Sequence, residues 1–177
     1  AAKGPDHPEV LRREIDITFF SQIDVEVSNS DEQWRLVERL RALGDHENLV
    51  RLVGLMTSMA PVLEADHPDP RFTALIDEAM ALPVDPRVRS ASAAAVTDFF
   101  ILSDVERCRR YAELSYADAL AVDDDELRAL AIEGLSVALG HPNDWPRRAR
   151  LTEQAVTLSE RLDDGFKRGS ALQNVFT

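Results

Sequence analysis

Apolar residues recur along this chain at helical spacing, and the recurrence is interrupted at regular intervals. Trp34, Val37, Leu40 and Leu43 form one stripe expected to be buried, with a cap at Ser30 or Asp31 before it and Gly44 ending it. Asp45 caps a second stripe of Leu49, Leu52, Val53, Met56 and Met59. The run Asp66-His67-Pro68-Asp69-Pro70 then stops one helix and starts another, because Asp69 can cap and Pro70 has no N–H to lose at the first helical position. Phe72, Leu75, Ile76 and Ala79 face inward from there, and Pro83-Val84-Asp85-Pro86 repeats the punctuation. Three further stripes follow: Val88, Ser92, Ala95, Phe99 and Leu102; Val105, Cys108, Ala112, Ser115, Ala119 and Val122; and Leu127, Leu130, Ala131, Gly134, Leu135, Ala138 and Leu139. A helix from about Trp145 carries Leu151, Ala155, Leu158 and Leu162, and Asp163-Asp164 opens a last one.

One segment is ambiguous. Between Pro8 and Val27, Ile15, Phe19 and Ile23 share a helical face, while Ile15, Ile17, Phe19 and then Ile23, Val25, Val27 alternate as in a strand. A helix that loosens near Asp24 agrees with the rest of the chain.

Two stretches, 85–122 and 124–162, are self-similar: an Ala-rich first helix opened by Asp85-Pro86-Arg87 or Asp124-Asp125-Glu126, then an Arg-rich second helix. A repeat of roughly 38 to 40 residues predicts stacked helix pairs, each with an apolar face that only its neighbours can cover. The expected fold is all-α, a right-handed solenoid of antiparallel helix hairpins forming a single helical-repeat domain over 1–177. Small residues at Ala91 to Ala95, Ala129, Ala131 and Gly134 mark the seams where helices should approach closely. A start at Ala1 without Met and a pattern that breaks off at Gln173-Asn174-Val175-Phe176-Thr177 suggest a fragment of a longer chain.

Composition supports the helical reading and narrows the chemistry. Seven Gly, 6% aromatics and 45% hydrophobic residues suit helices with a continuous core. A formal charge of −12 argues against direct nucleic-acid contact by this segment, since tracking phosphates needs clustered Lys and Arg. Cys108 is the single cysteine, which excludes an intrachain disulfide and reads as a small core residue of a protein in a reducing, cytoplasmic setting. No apolar run is long enough to span a membrane. His7, His46, His67 and His141 are dispersed, no phosphate-cradling Gly loop is present, and no metal or cofactor is expected. Nor is an enzyme: Asp123-Asp124-Asp125 reads as an exposed turn, not as the spaced carboxylates of an all-α hydrolase or terpene-type synthase.

Candidate contacts lie among the arginines and aromatics. Arg107, Arg109, Arg110 and Arg147, Arg148, Arg150 fall in the first turns of second-position helices, where the helix dipole disfavours cations. Pairing with carboxylates such as Asp104, Glu106, Glu113 and the Asp123 to Asp125 run is the ordinary explanation, and an anionic ligand or acidic partner the sharper one. Arg89 and Arg128, about one repeat apart on first-position helices, are the candidates for a concave groove, with ion pairs between hairpins as the alternative. If one of Phe99 and Phe100 is core, the other is left to line a pocket. Trp145, beside Pro146, is expected to staple against the preceding hairpin.

Several segments also resemble a family. Arg41-Ala42-Leu43-Gly44-Asp45-His46-Glu47-Asn48-Leu49, Asp125-Glu126-Leu127-Arg128-Ala129-Leu130-Ala131, the His141-Pro142 turn and the run from Arg150 to Asp164 are similar to the tetratricopeptide-like region of large actinobacterial transcriptional regulators. These are the Streptomyces antibiotic regulatory protein type and the related LuxR type with a signalling ATPase. The likeness covers roughly residues 31 to 164, without the Trp-Leu-Gly-Tyr signature of the standard repeat. It implies a sensor and regulatory arm whose partners are its own ATPase domain, a second copy or another regulatory protein, with a small-molecule effector as a further ligand. A stand-alone scaffold for protein–protein interaction is the alternative.

Overall fold

The computed structural model describes residues 4–20, 31–59 and 69–162. Among these residues the chain is all-helical, with eight α-helices and no strand. They are α1 (Pro8–Phe20), α2 (Asp31–Leu43), α3 (His46–Met59), α4 (Pro70–Met80), α5 (Pro86–Phe100), α6 (Val105–Leu120), α7 (Asp125–Ala138) and α8 (Trp145–Ser159). A short 3-10 turn, Pro142–Asp144, precedes α8. The ambiguous N-terminal segment is helical as far as Phe20, while the loosening expected near Asp24 lies outside the described residues, as do Ser30 and the helix expected after Asp163.

Local chemistry sets these boundaries. The Asp69 and Asp85 side chains each accept the backbone N–H of the arginine two positions on, at 2.8 Å, with Pro70 and Pro86 at the first helical position. Asp104 and Asp124 accept from the third residue on, Arg107 at 2.9 Å and Leu127 at 3.0 Å. Asp45 caps α3 through the backbone N–H of Asn48, at 3.3 Å. Gly44 ends α2 in the left-handed region at φ 64°, so that its own N–H donates to Arg41 and that of Asp45 donates to Leu40, at 3.1 and 3.0 Å. That double bond satisfies two orphan carbonyls and favours glycine at this position.

The first helices of successive pairs start at Pro8, His46, Pro86 and Asp125, intervals of 38, 40 and 39 residues. The period read from the second half of the chain therefore extends through the first half. These helices also pack in sequence: α1 on α3, α3 on α5, α5 on α7. Of the even-numbered helices, α2 packs on α3, α4 on α3 and α5, α6 on α5 and α7, and α8 on α7. Among the described residues, no comparably close backbone approach joins α2 to α4, α4 to α6 or α6 to α8.

Helix α5 is the centre of this arrangement and is buried on nearly all sides, through Val88, Ser90, Ser92, Ala93, Ala94, Val96, Thr97, Phe99 and Phe100. Its small residues let neighbours come close. A methyl group added at Gly54 on α3 would lie 2.8 Å from Ser92 Oγ, 2.9 Å from its Cβ and 3.0 Å from its Cα, so α3 and α5 touch almost backbone to backbone. At the seam with α7 the approach is looser, because a methyl at Gly134 would sit 3.6 Å from the Thr97 methyl. The polar atoms buried on α5 are satisfied: Ser90 Oγ donates to the Ser115 carbonyl at 2.9 Å, Ser115 Oγ returns a bond to the Ser90 carbonyl at 3.0 Å, and Thr97 donates to Ala93 at 2.8 Å.

Most of the expected stripes are buried, with corrections at helix ends. Leu43, Leu102 and Val105 are exposed, since they stand at or beyond the last turn of α2, in the turn after α5 and at the first residue of α6. Leu130 is exposed because α7 turns Leu127, Ala131 and Leu135 inward instead. In α2, Gln33 and Leu36 are buried where Trp34 is only half-buried. Trp145 is 63% exposed and does not staple the preceding hairpin. Its place at the start of α8 carries it clear of α7, and Leu151 makes the first buried contact of that helix.

Candidate functional site

Two of the grooves on this framework are lined wholly by described residues. The first, about 490 Å³, crosses α1, α3 and α5. Its floor is made of small side chains, Gly54, Ser58, Ala91, Ser92 and Ala95, flanked by Ile15, Leu55 and Val88. The seam chemistry that brings α3 onto α5 also leaves this floor low. Four charged side chains complete the lining: Arg12 and Asp16 from α1, Arg51 from α3 and Arg87 from α5. Arg51 pairs with Glu47 one turn earlier at 3.1 Å, and Arg87 reaches Asp124 at 3.6 Å. No ion pair engages Arg12 among the described residues.

The second groove, about 590 Å³, lies between α6 and α8 with α7 behind it. Leu120, Ile132 and Leu158 supply its apolar surface, and Tyr116, Arg128, Arg150, Glu153, Gln154 and Thr157 its polar one. The Tyr116 hydroxyl donates to Gln154 Oε1 across the gap at 3.0 Å.

The residues singled out from the sequence fall into three groups. Arg128 lines the second groove, where its guanidinium donates to Asp125 at 3.0 Å and to the Val122 carbonyl at 2.7 Å. Arg89 lines neither groove. It makes a two-bond fork to the buried Asp118, at 2.6 and 2.8 Å, and ties α5 to α6 within one hairpin. This fork raises the Arg89 guanidinium pKa further. Phe99 and Phe100 are both core, 6% and 1% exposed, so no aromatic is left over. They can both be buried because α5 has neighbours on opposite sides: Phe99 meets Phe72 of α4 edge-on at 5.5 Å, and Phe100 stacks on Tyr111 of α6 at 5.9 Å.

Of the clustered arginines, Arg107, Arg109, Arg110 and Arg147 bridge even-numbered helices, while Arg150 lines the second groove. Asp77 of α4 receives Arg107 at 3.4 Å, together with Arg110 and the Tyr111 hydroxyl, all from α6. Arg109 of α6 forks onto Asp144 at the head of α8, at 3.0 and 3.1 Å, and Arg147 of α8 forks back onto Glu113 of α6. Between α2 and α4, Arg41 pairs with Glu78, and Arg71 lies 3.7 Å over the Trp34 ring. Burial acts to push the Asp77 carboxyl up, but the Tyr111 hydroxyl and the Arg110 and Arg107 guanidinium groups outweigh it and hold the carboxyl below its ordinary range. Tyr111 is pushed up to about 12 by burial and by its bond to Asp77. Cys108 is core as expected, and burial beside Asp98 and Asp104 raises its thiol to about 11, which leaves it protonated and unreactive at neutral pH.

Arg12, Arg51 and Arg87 were not singled out by sequence reasoning. No repeat position marks them: Arg12 is one of two arginines on α1 and Arg87 one of two on α5, and with Arg51 they stand at the fifth, second and sixth positions of their helices. Among the described residues no group of three or more His, Cys, Asp or Glu side chains is placed to hold a metal ion, and no helix is long and apolar enough to cross a membrane. No protein-family model, curated protein or solved structure matches this chain.

Proposed function

We propose that this chain is a non-catalytic interaction and sensing domain, built as a solenoid of helix hairpins, that receives a protein segment or small effector on the face of α1, α3 and α5. One observation carries the reading: first helices that recur every 38 to 40 residues pack one upon the next and leave an open groove across three of them. Stacked repeats present extended binding surfaces in this way, with each repeat contributing side chains to a common face. The likeness of residues 31 to 164 to the repeat region of actinobacterial regulators suggests the setting, a cytoplasmic regulatory arm that restrains an ATPase or associates with a second copy. In that setting an effector acts only by binding one state more tightly than the other.

A thermal-shift screen against peptides, metabolites and nucleotides tests the reading, because a specific ligand stabilises the folded state in proportion to its concentration over its affinity. Ala91→Trp is the control: Ala91 is exposed on the groove floor, so the indole fills the groove without entering the core. A ligand whose stabilisation disappears in Ala91→Trp is the expected result. Stabilisation that survives Ala91→Trp for every hit, or a parent regulator whose activity is unchanged after deletion of this region, overturns the proposal.

A further inference from the structure

We propose that the groove between α6 and α8 binds a small planar cyclic amide, its C=O and N–H paired with the side-chain amide of Gln154 and its ring laid on Leu120, Ile132 and Leu158. This goes beyond the interaction reading above, since it concerns the other groove and a different class of ligand.

The interval between α6 and α8 is pinned at one end and open at the other. Near the start of α8, Arg147 forks onto Glu113, and Arg109 of α6 forks onto Asp144. Seven residues after Arg147, roughly 10 Å along the helix, the crossing contact is the Tyr116–Gln154 hydrogen bond. The groove here, about 590 Å³, has the size of pockets that enclose small organic molecules. Ile132 and Leu158 supply apolar surface, and Leu120 stands beside them 57% exposed. A ring laid over Leu120 removes that hydrocarbon from water, which favours an apolar face on the ligand.

The polar edge sets the rest of the chemistry. A side-chain amide offers two N–H donors and a carbonyl oxygen with two lone pairs. In Gln154 the Tyr116 hydroxyl takes one lone pair of Oε1 at 3.0 Å, and no other hydrogen bond engages the side chain among the described residues. An acceptor and a donor are therefore left side by side on a group that Tyr116 holds in place. The same two functions remain with the amide turned over. Their complement is a C=O beside an N–H. An ordinary peptide bond is trans and points these in opposite directions, whereas an amide closed in a small ring is cis and presents both on one edge. The charged side chains of the groove suit a neutral ligand: Arg128 is engaged by Asp125 and the Val122 carbonyl, and Arg150 stands three residues before Glu153 on the same wall.

The test titrates the full chain with carbostyril, a benzene ring fused to a cyclic amide, and follows binding through protein amide NMR shifts. N-methylcarbostyril lacks the donor, and uracil keeps the edge without the apolar ring. Each should bind about ten-fold more weakly than carbostyril, the scale of one lost hydrogen bond or of a few buried carbons. Gln154→Leu, at an exposed position, should weaken carbostyril about ten-fold and remove its advantage over the methylated compound. Tyr116→Phe, which releases the Gln154 amide, should weaken it about three-fold. Trp145→Ser removes the exposed indole of α8 as an alternative stacking surface and should leave binding unchanged. Melting curves check that each variant is folded. Equal binding of N-methylcarbostyril or of uracil, carbostyril binding that Gln154→Leu leaves intact, loss through Trp145→Ser, or no binding up to the solubility of carbostyril each overturns the proposal. None of these outcomes bears on the groove across α1, α3 and α5, which is tested through Ala91→Trp.

Discussion

The odd-numbered and even-numbered helices of this protein are held together by different physics. Along α3, α5 and α7 the helices meet through small side chains: Gly54 against Ser92, Gly134 against Thr97. Along α2, α4, α6 and α8 the backbones do not come as close, and long side chains cross the intervals: Arg41 to Glu78, Arg107 and Arg110 to Asp77, Arg109 to Asp144, Arg147 to Glu113. Close packing requires complementary shape and tolerates no added volume, whereas a guanidinium on a flexible stem spans a gap and adapts to it. The difference gives the two layers different jobs. The odd-numbered helices approach closely and expose a low groove floor, while the even-numbered helices are tied to one another by side chains that cross the intervals.

The comparison can be broken most severely at the α3–α5 seam. Gly54→Val should destabilise the fold by about 3 kcal/mol, because its Cβ and methyl groups meet Ser92 backbone as well as side chain. Gly134→Ala is its counterpart, where the methyl fits at ordinary contact distance and helix propensity improves, so stability should hold or rise by up to about 1 kcal/mol. Urea unfolding of both variants measures the contrast, and equal losses would remove the distinction between a tight and a loose seam.

In the even layer the largest effect is expected at Asp77, which gathers Arg107, Arg110 and Tyr111. Asp77→Asn should cost about 1 kcal/mol at neutral pH, a figure discounted for the carboxylate's partial exposure. The sign of its pH dependence follows from a folded pKa below the unfolded one: the contribution is complete above the ordinary aspartate range and is lost as pH falls through the depressed value. Stability curves of parent and variant should therefore converge in acid and separate toward neutral pH.

Smaller effects belong to the α6–α8 bridges. Arg109→Ala and Arg147→Ala should each cost about 0.5 kcal/mol, and the loss should shrink in high salt, since both pairs are partly solvent-exposed. A salt-independent cost would mean that the stems, not the charges, hold α8 in place. The smallest change is Trp145→Ser, which should alter stability by less than about 0.5 kcal/mol because the ring is exposed. A larger loss would restore the staple that the geometry lacks.

Helix positions were legible where chemistry is local. Asp69-Pro70, Asp85-Pro86 and Gly44 announce caps and stops within a few residues, and the observed elements begin and end there. The ordinary explanation of the arginine clusters was also legible in kind, though its partners were not: Asp77 and Asp144 lie 30 to 35 residues away from Arg107, Arg110 and Arg109. Phe99 and Phe100 misled because adjacent residues on a one-sided helix cannot both be buried, whereas α5 is covered from several directions. For Arg89 the sequence left a groove contact and an ion pair between hairpins both open, and the pair that forms is with Asp118 of the adjoining helix, a partner 29 residues away that no local pattern indicates.

Sequence patterning alone thus decided the helical class, the capped boundaries and the period near 39 residues, because each depends on interactions within a few turns of one helix. Tertiary structure decided which arginines became bridges and which came to line a groove, and which glycine seam is tight. Those outcomes depend on distances between helices. Arg87 and Arg89 are two residues apart, and the packing of α5 sends one to the groove across α1 and α3 and the other to Asp118 on α6.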